Sequence, residues 1–153
     1  MIDKISNFES MISKINDRRV NIGIIGLGYV GLPLAIRFCE EGFKVQGFDI
    51  DSKKVSMILE GKSYIKHINS LKIKEITSTG FKATSDFKNV KDVDVIIICV
   101  PTPLDEHNEP DLSYVENTLH SIQDSLKEGQ LLVLESTTYP GTTEEILVPF
   151  IEK

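Results

Sequence analysis

The sequence predicts an α/β fold, a doubly wound parallel sheet with helices on both faces in a single domain, and three observations carry that prediction. Short apolar runs at residues 20–25, 43–48, 94–100 and 131–134 alternate with stretches whose apolar residues recur at three- and four-residue steps. The run from Asp94 to Val100 is apolar on both faces, as a central strand covered by helices requires. Glycines punctuate the joins, and alternating strands and helices of this kind form a right-handed parallel sheet.

Residues 1–18 place Ile2, Ile5, Phe8, Ile12 and Ile15 on one face of an amphipathic helix that precedes the first strand. Its polar face carries mixed charges, which suits a helix laid against the domain or a neighbouring subunit better than a membrane surface. Residues 20–33 read as a buried strand, a turn on Gly26, Gly28 and Gly31, and the opening of a helix. That helix carries Leu32, Ala35, Ile36 and Cys39 and is stopped by Gly42. A second strand, 43–48, ends in Asp49. Asp51 or Ser52 caps the next helix, with Val55, Ile58 and Leu59 on one face and Gly61 at its end.

Residues 70–79 form a short helix on Leu71, Ile73 and Ile76, stopped at Gly80. A short third strand follows at 81–84, then a turn or short helix at 85–90. After the strand at 94–100 a loop covers 101–110, at the strand end where open α/β sheets hold ligands. Ser113-x-x-Glu116 reads as a capping box for a helix striped by Val115, Leu119, Ile122 and Leu126 and closed by Gly129. A buried strand at 131–134 turns through 136–141 into a helix with Thr142-x-x-Glu145 as its capping box. Pro149 is expected to kink or end that helix.

At 153 residues, 41% apolar and 26% charged, the chain has the size and composition of one ordinary globular domain. A net charge of −6 argues against a nucleic-acid scaffold. No run reaches the ~18 apolar residues of a membrane helix, and no signal peptide is visible, so the cytoplasm is the expected setting. Cys39 and Cys99 have neither metal-ligand spacing nor a disulfide framework, and both read as small buried hydrophobes rather than nucleophiles. No metal site is expected.

Gly26, Gly28 and Gly31 make the G-x-G-x-x-G spacing between a strand and a helix. The first glycine permits the sharp turn, the second lets the backbone approach a pyrophosphate, and the third lets helix and strand pack closely. Free N–H groups and the positive end of the helix dipole then face the phosphates. Asp49, at the tip of the next strand, is placed to accept hydrogen bonds from the adenosine ribose. It also selects against a 2′-phosphate, since like charges at ~4 Å cost about 4 kcal/mol at an effective dielectric of ~20. Together these parts predict a dinucleotide site.

With these segments placed, the chain resembles the nucleotide-sugar 6-dehydrogenases, the family of the UDP-glucose, GDP-mannose and UDP-N-acetylhexosamine enzymes. The resemblance is carried by Gly26-Leu-Gly-Tyr-Val-Gly-Leu-Pro-Leu-Ala35, Gly47-Phe-Asp-Ile-Asp51, Cys99-Val-Pro-Thr-Pro-Leu104, Pro110-Asp-Leu-Ser113 and Glu135-Ser-Thr-Thr-Tyr-Pro-Gly-Thr-Thr-Glu144. It covers residues 19–153, as a Rossmann NAD-binding domain behind the leading helix of residues 1–18. The segment Gly61-Lys-Ser-Tyr-Ile-Lys-His-Ile68 is similar to the N-acetylhexosamine subgroup. There Tyr64, Ile65 and Ile68 either pack a crossing loop or touch substrate, and His67 touches substrate or sits at the surface; His107 and His120 read as solvent-facing.

The resemblance implies that NAD takes hydride twice from carbon 6 of a UDP-sugar, turning a primary alcohol into a carboxylate for surface polysaccharide biosynthesis. In the family a cysteine holds the aldehyde stage, assisted by lysine, asparagine and acidic residues that lie later than this sequence reaches. The family's central dimerisation helix and UDP-binding domain are likewise absent, so a homo-oligomer is expected only of the full-length enzyme, and this piece alone is expected to be inactive. Alternatives stay open: a UDP-glucose or GDP-mannose enzyme, or a stand-alone NAD-binding module without turnover.

For the cofactor, Tyr29 and Val30 follow the glycine turn and are expected near the dinucleotide, with a core role as the other reading of Val30, and the resemblance adds the loop Val100, Pro101 and Thr102 and the pair Ser136 and Thr137. Lys54 matches the position that reaches the adenosine side, with an exposed helix lysine as the other reading. Thr137 is the nominated catalytic residue, a hydroxyl placed to orient water or the substrate oxygen, with a turn role as its alternative. Glu144 and Glu145 serve the helix N-terminus.

Overall fold

The structure, a computed structural model, describes the backbone of residues 2–152 and the side chains of residues 6–152. Five parallel strands form one sheet in the order β3-β2-β1-β4-β5: β1 (Asn21–Ile25), β2 (Lys44–Phe48), β3 (Lys82–Thr84), β4 (Val95–Ile98) and β5 (Leu131–Leu134). Helices α2 (Gly31–Glu40), α3 (Ser52–Leu59), α4 (Ser70–Ser78) and α5 (Ser113–Ile122) lie in connections between strands, with α1 (Ile2–Asn16) before β1 and α6 (Val148–Ile151) after β5. The order reverses between β1 and β4, and such a switch point opens a crevice at the carboxyl ends of the strands.

Alternation along the central strands feeds two cores, one on each face. Ile22, Ile24, Val95 and Ile97 join Leu32, Ile58 and Ile73 of α2, α3 and α4 on one side. Ile25, Ile96 and Ile98 join Val115, Leu119 and Ile122 of α5 on the other. This is the doubly wound arrangement the runs predict, since a strand buried on both faces needs apolar residues at every position.

The exceptions have local causes. Leu59 and Leu71 are exposed: α3 and α4 are only two turns long, and Val55 with Ile58, and Ile73 with Ile76, already fill their inner faces. Leu131 is exposed and the rest of β5 half-buried, because β5 is an edge strand and not an interior one.

Neither expected capping box forms. Asp111 Oδ1 accepts the Ser113 amide at 2.9 Å, which puts Ser113 inside α5. The Thr142 hydroxyl donates back to the Tyr139 carbonyl at 2.8 Å. Pro149 does not end the last helix: a π-helical turn over Thr143–Leu147 precedes α6, which runs through the proline to Ile151. The wider turn accommodates a residue that has no N–H to donate.

Helix α1 lies at the amino ends of the strands. Lys14 Nζ stands 2.9 Å from Asp94 Oδ1, and Asp94 Oδ2 accepts the Asn21 amide at 2.8 Å. Met11 and Ile15 pack on the core, whereas Phe8 and Ile12 are exposed, so only part of the expected apolar face is used. The roles expected of Ile2 and Ile5 lie outside the described side chains. Among the described residues no helix is long and apolar enough to cross a membrane.

Candidate functional site

The turn between β1 and α2 is built by three glycines with three different reasons to be glycine. Gly26 has φ +93°, and a Cβ there would stand 2.7 Å from the Cys99 carbonyl oxygen, so β1 and β4 leave no room for one. A Cβ on Gly31 would stand 1.8 Å from the Gly26 carbonyl oxygen, because the first turn of α2 sits directly on the loop. At Gly28 an added Cβ meets nothing within 4 Å: that glycine faces open space. Two of the three are demanded by the protein's own packing, and the third keeps a cradle clear.

Among the described residues, neither a carbonyl nor a side chain accepts from the amides of Gly28, Tyr29, Val30 and Gly31. These are the orphan donors of a helix start, with the positive end of the α2 dipole behind them. Leu27 differs. Its amide donates to Asp49 Oδ2 at 2.8 Å, and its side chain is fully buried against Gly47.

Asp49 stands at the end of β2 as predicted, but it is 5% exposed and more engaged than the sequence indicates. Its Oδ1 accepts the Asp51 amide at 2.9 Å, its Oδ2 accepts Leu27, and Lys54 Nζ lies 3.5 Å from Oδ2. Each carboxylate oxygen can accept two hydrogen bonds, so acceptor capacity remains for an incoming hydroxyl.

A cleft of about 750 Å³ lies at the carboxyl ends of the strands. It brings together Gly26, Gly28, Tyr29 and Val30 from the turn, Asp49 and Lys54 from the β2 side, Val100, Pro101 and Thr102 after β4, and Ser136 and Thr137 after β5. Gly31 alone of the predicted set does not line it, being buried under Gly26. The loops after β4 and β5 are tied together by the Ser136 hydroxyl, which donates to the Val100 carbonyl at 2.8 Å. Thr137 is exposed on the wall beyond that bond, free of a hydrogen-bond partner among the described residues.

Sequence reasoning missed the opposite wall. Tyr114, Asn117, Thr118 and Ser121 of α5 line the cleft, with Phe87 beside them. Their signal was available: a polar stripe at three- and four-residue steps beside the apolar stripe of the same helix. Two of these hydroxyls are turned back onto the helix, Thr118 to Tyr114 and Ser121 to Asn117, at 2.7 and 2.8 Å.

The thiols fit a packing role. Burial, with Glu135 nearby, pushes Cys99 up to about 11; burial, with Glu40, does the same for Cys39. Both therefore stay protonated at neutral pH. No cluster suited to a metal ion exists among the described residues. Tyr64 and Ile68 pack on the core and Ile65 is buried in it, His67 is exposed beside the Tyr29 ring, and His107 and His120 are exposed.

A profile of the UDP-glucose/GDP-mannose dehydrogenase family, NAD binding domain, matches residues 20–153. The chain is similar to the UDP-N-acetyl-D-glucosamine 6-dehydrogenase of Pseudomonas aeruginosa, with 38% identity over 134 residues, 88% of this chain and 31% of the relative. It is 40% identical over 129 residues to the UDP-N-acetyl-D-mannosamine dehydrogenase of Pyrococcus horikoshii, covering 83% of this chain and 31% of that one. The crystal structure of a ternary complex of GDP-mannose dehydrogenase from Pseudomonas aeruginosa superposes with a TM-score of 0.80 at 36% identity, over 86% of this chain and 31% of that chain. The chain thus spans about a third of the length of these relatives.

Proposed function

The chain belongs to the UDP-glucose/GDP-mannose dehydrogenase family, and on that premise we propose that it holds NAD for an enzyme that oxidises carbon 6 of a UDP-N-acetylhexosamine to the uronic acid, for surface polysaccharide biosynthesis. One observation carries the cofactor part: the unbonded amides of Gly28, Tyr29 and Val30, before α2, belong to residues that line the same cleft as Asp49. A dianionic pyrophosphate suits the first and a ribose diol the second.

In this reading the amides of residues 28–30 hold the pyrophosphate, while Asp49 and Lys54 hold the adenosine ribose. The loop at Val100, Pro101 and Thr102 and the Ser136–Thr137 turn flank the nicotinamide half. Bound NAD supplies the hydride acceptor. The prolines around Thr102 fix that loop's path, and the Ser136 bond to Val100 holds the two loops in register. Thr137 orients a water or the substrate oxygen through its free hydroxyl.

The acetylated-sugar assignment is supported by relatives whose names specify UDP-N-acetylglucosamine and UDP-N-acetylmannosamine. We infer further that the working enzyme is a homo-oligomer, and that its nucleophile and UDP-binding residues lie outside these 153 residues. Two reduced, half-buried or buried thiols agree with a cytoplasmic setting. A second reading, a nucleotide-binding module without turnover, draws on the protonated state of both cysteines.

Titration calorimetry of the chain with NAD and NADP tests the cofactor: binding of NAD in clear preference to NADP is expected, and absence of NAD binding would refute the site. Assay of the complete enzyme with UDP-N-acetylhexosamines, UDP-glucose and GDP-mannose tests the substrate. Turnover of neither acetylated sugar would remove that assignment, and turnover by these residues alone would remove both the module reading and the claim that essential groups lie elsewhere.

A further inference from the structure

Leu27 has both of its backbone polar groups held by side chains distant in sequence. Its N–H donates to Asp49 at 2.8 Å, and its carbonyl accepts the Tyr64 hydroxyl at 2.5 Å. Tyr64 stands on the segment between α3 and α4, outside the cleft. That segment is itself braced: Ser70 Oγ accepts the Ser63 amide at 3.0 Å, and Ile65 is 3% exposed in the core.

We propose that Tyr64 is a positioning residue for the dinucleotide's pyrophosphate, acting through the Leu27 carbonyl and never touching the ligand; this rests on the reading of the glycine turn given above. In a helix that carbonyl is the natural acceptor for the N–H four residues on, which is Gly31. Engaged by Tyr64, it is kept from the Gly31 amide, which has no acceptor among the described residues. Released, it competes for that amide, and a carbonyl dipole free to swing toward the phosphates repels them. The Asp49 and Tyr64 bonds hold opposite ends of one residue, so together they fix both peptide planes that flank it.

Chemistry favours a permanent clamp. Burial first, then Asp49 and Asp51, push the Tyr64 phenol well above its usual range, so it remains a donor throughout physiological pH. The Lys54 ammonium lies 6.0 Å over the Tyr64 ring and 3.5 Å from Asp49 Oδ2. One ring therefore supports the pyrophosphate turn and stands under the lysine of the ribose end.

Tyr64→Phe in the full chain keeps the ring and removes only the donor. Amide exchange followed by NMR without ligand is expected to show Gly31 exchanging about tenfold slower, as the released Leu27 carbonyl accepts its N–H, while the Leu27 amide, still held by Asp49, is unchanged. Titration should show NAD and ADP each weakened about tenfold, with adenosine, which has no pyrophosphate, unchanged. Unaltered Gly31 exchange overturns the clamp. Slower Gly31 exchange with unaltered NAD and ADP affinity overturns its positioning role, as does an equal loss for adenosine, which would mark general loosening. If the unsubstituted chain binds no NAD or ADP, the cofactor reading falls and takes this role with it, while the exchange measurement still reports on the clamp.

Discussion

The carboxylate of Asp49 accepts the amide of Leu27 at 2.8 Å, joining the tip of the second strand to the middle of the glycine turn. The residue expected to face the ribose is thus also a structural tie. Removing it has two separable consequences. Asp49→Ala leaves the Leu27 and Asp51 amides without their acceptor, which costs about 1–3 kcal/mol of stability. It should also weaken NAD and reduce the preference over NADP on the order of tenfold or more. Thermal melts and calorimetry with both dinucleotides measure these effects; a melting change with an unaltered NAD:NADP ratio would confine Asp49 to the structural tie.

The glycines should separate by substitution. Gly28→Val places its side chain in open space, so the melting temperature stays near that of the parent while NAD binding is lost. Gly31→Ala forces a methyl group into the Gly26 carbonyl and should cost several kcal/mol, on the scale of overpacking in a core. Circular-dichroism melts beside calorimetry check the contrast; retained NAD affinity in Gly28→Val would contradict the cradle.

Both cysteines should resist thiol chemistry at neutral pH. Their folded values of about 11 lie above the ordinary 9.0, so the folded state binds the protons more tightly. The stability this contributes is whole below pH 9.0 and is lost as pH rises through about 11. Iodoacetamide labelling of the folded chain should follow an apparent value near 11, whereas labelling in urea should follow one near 9.0. Equal profiles would show that burial does not control these thiols.

At the opposite end of the sheet, burial works against the Asp94 charge. The Asn21 amide and the Lys14 ammonium outweigh it, and hold the carboxyl below its usual 3.8. Its stabilisation is therefore whole above pH 3.8 and is lost as pH falls through the lower folded value. Lys14→Ala removes a half-exposed pair worth about 0.5 kcal/mol. Asp94→Ala also strands the Asn21 amide and should cost about 1–2 kcal/mol. Proteolytic cleavage after α1 should increase in the same order, and identical rates would show that the helix is held by Met11 and Ile15 alone.

Thr137→Val in the complete enzyme should lower kcat about 10²-fold, the lower range for general acid–base and orienting groups, while NAD affinity stays within twofold. Steady-state kinetics with calorimetry separate the two; an unchanged kcat would leave Thr137 as a turn residue.

Much of the crevice was legible because its residues are specified by position. Glycines at fixed spacing and an acid at a strand tip answer to backbone geometry, which periodicity reveals. What stayed hidden depends on who accepts from whom. Ser113 and Thr142 both look like caps, yet Asp111 takes the first role and a turn carbonyl takes the hydroxyl of the second. The partners of Asp49 and Tyr64 are set by loops that close only in three dimensions, so no local pattern announces them. The polar face of α5 was overlooked for a simpler reason: the apolar stripe explains that helix without it.

The fastening of α1 at the amino ends of the strands has a practical corollary. A biotin or fluorophore attached at the exposed Glu9 of this helix would be borne on the side turned away from the crevice. Immobilised that way, the molecule would present its mouth to flowing solution, and small solutes could be washed across it without the tether standing in their path.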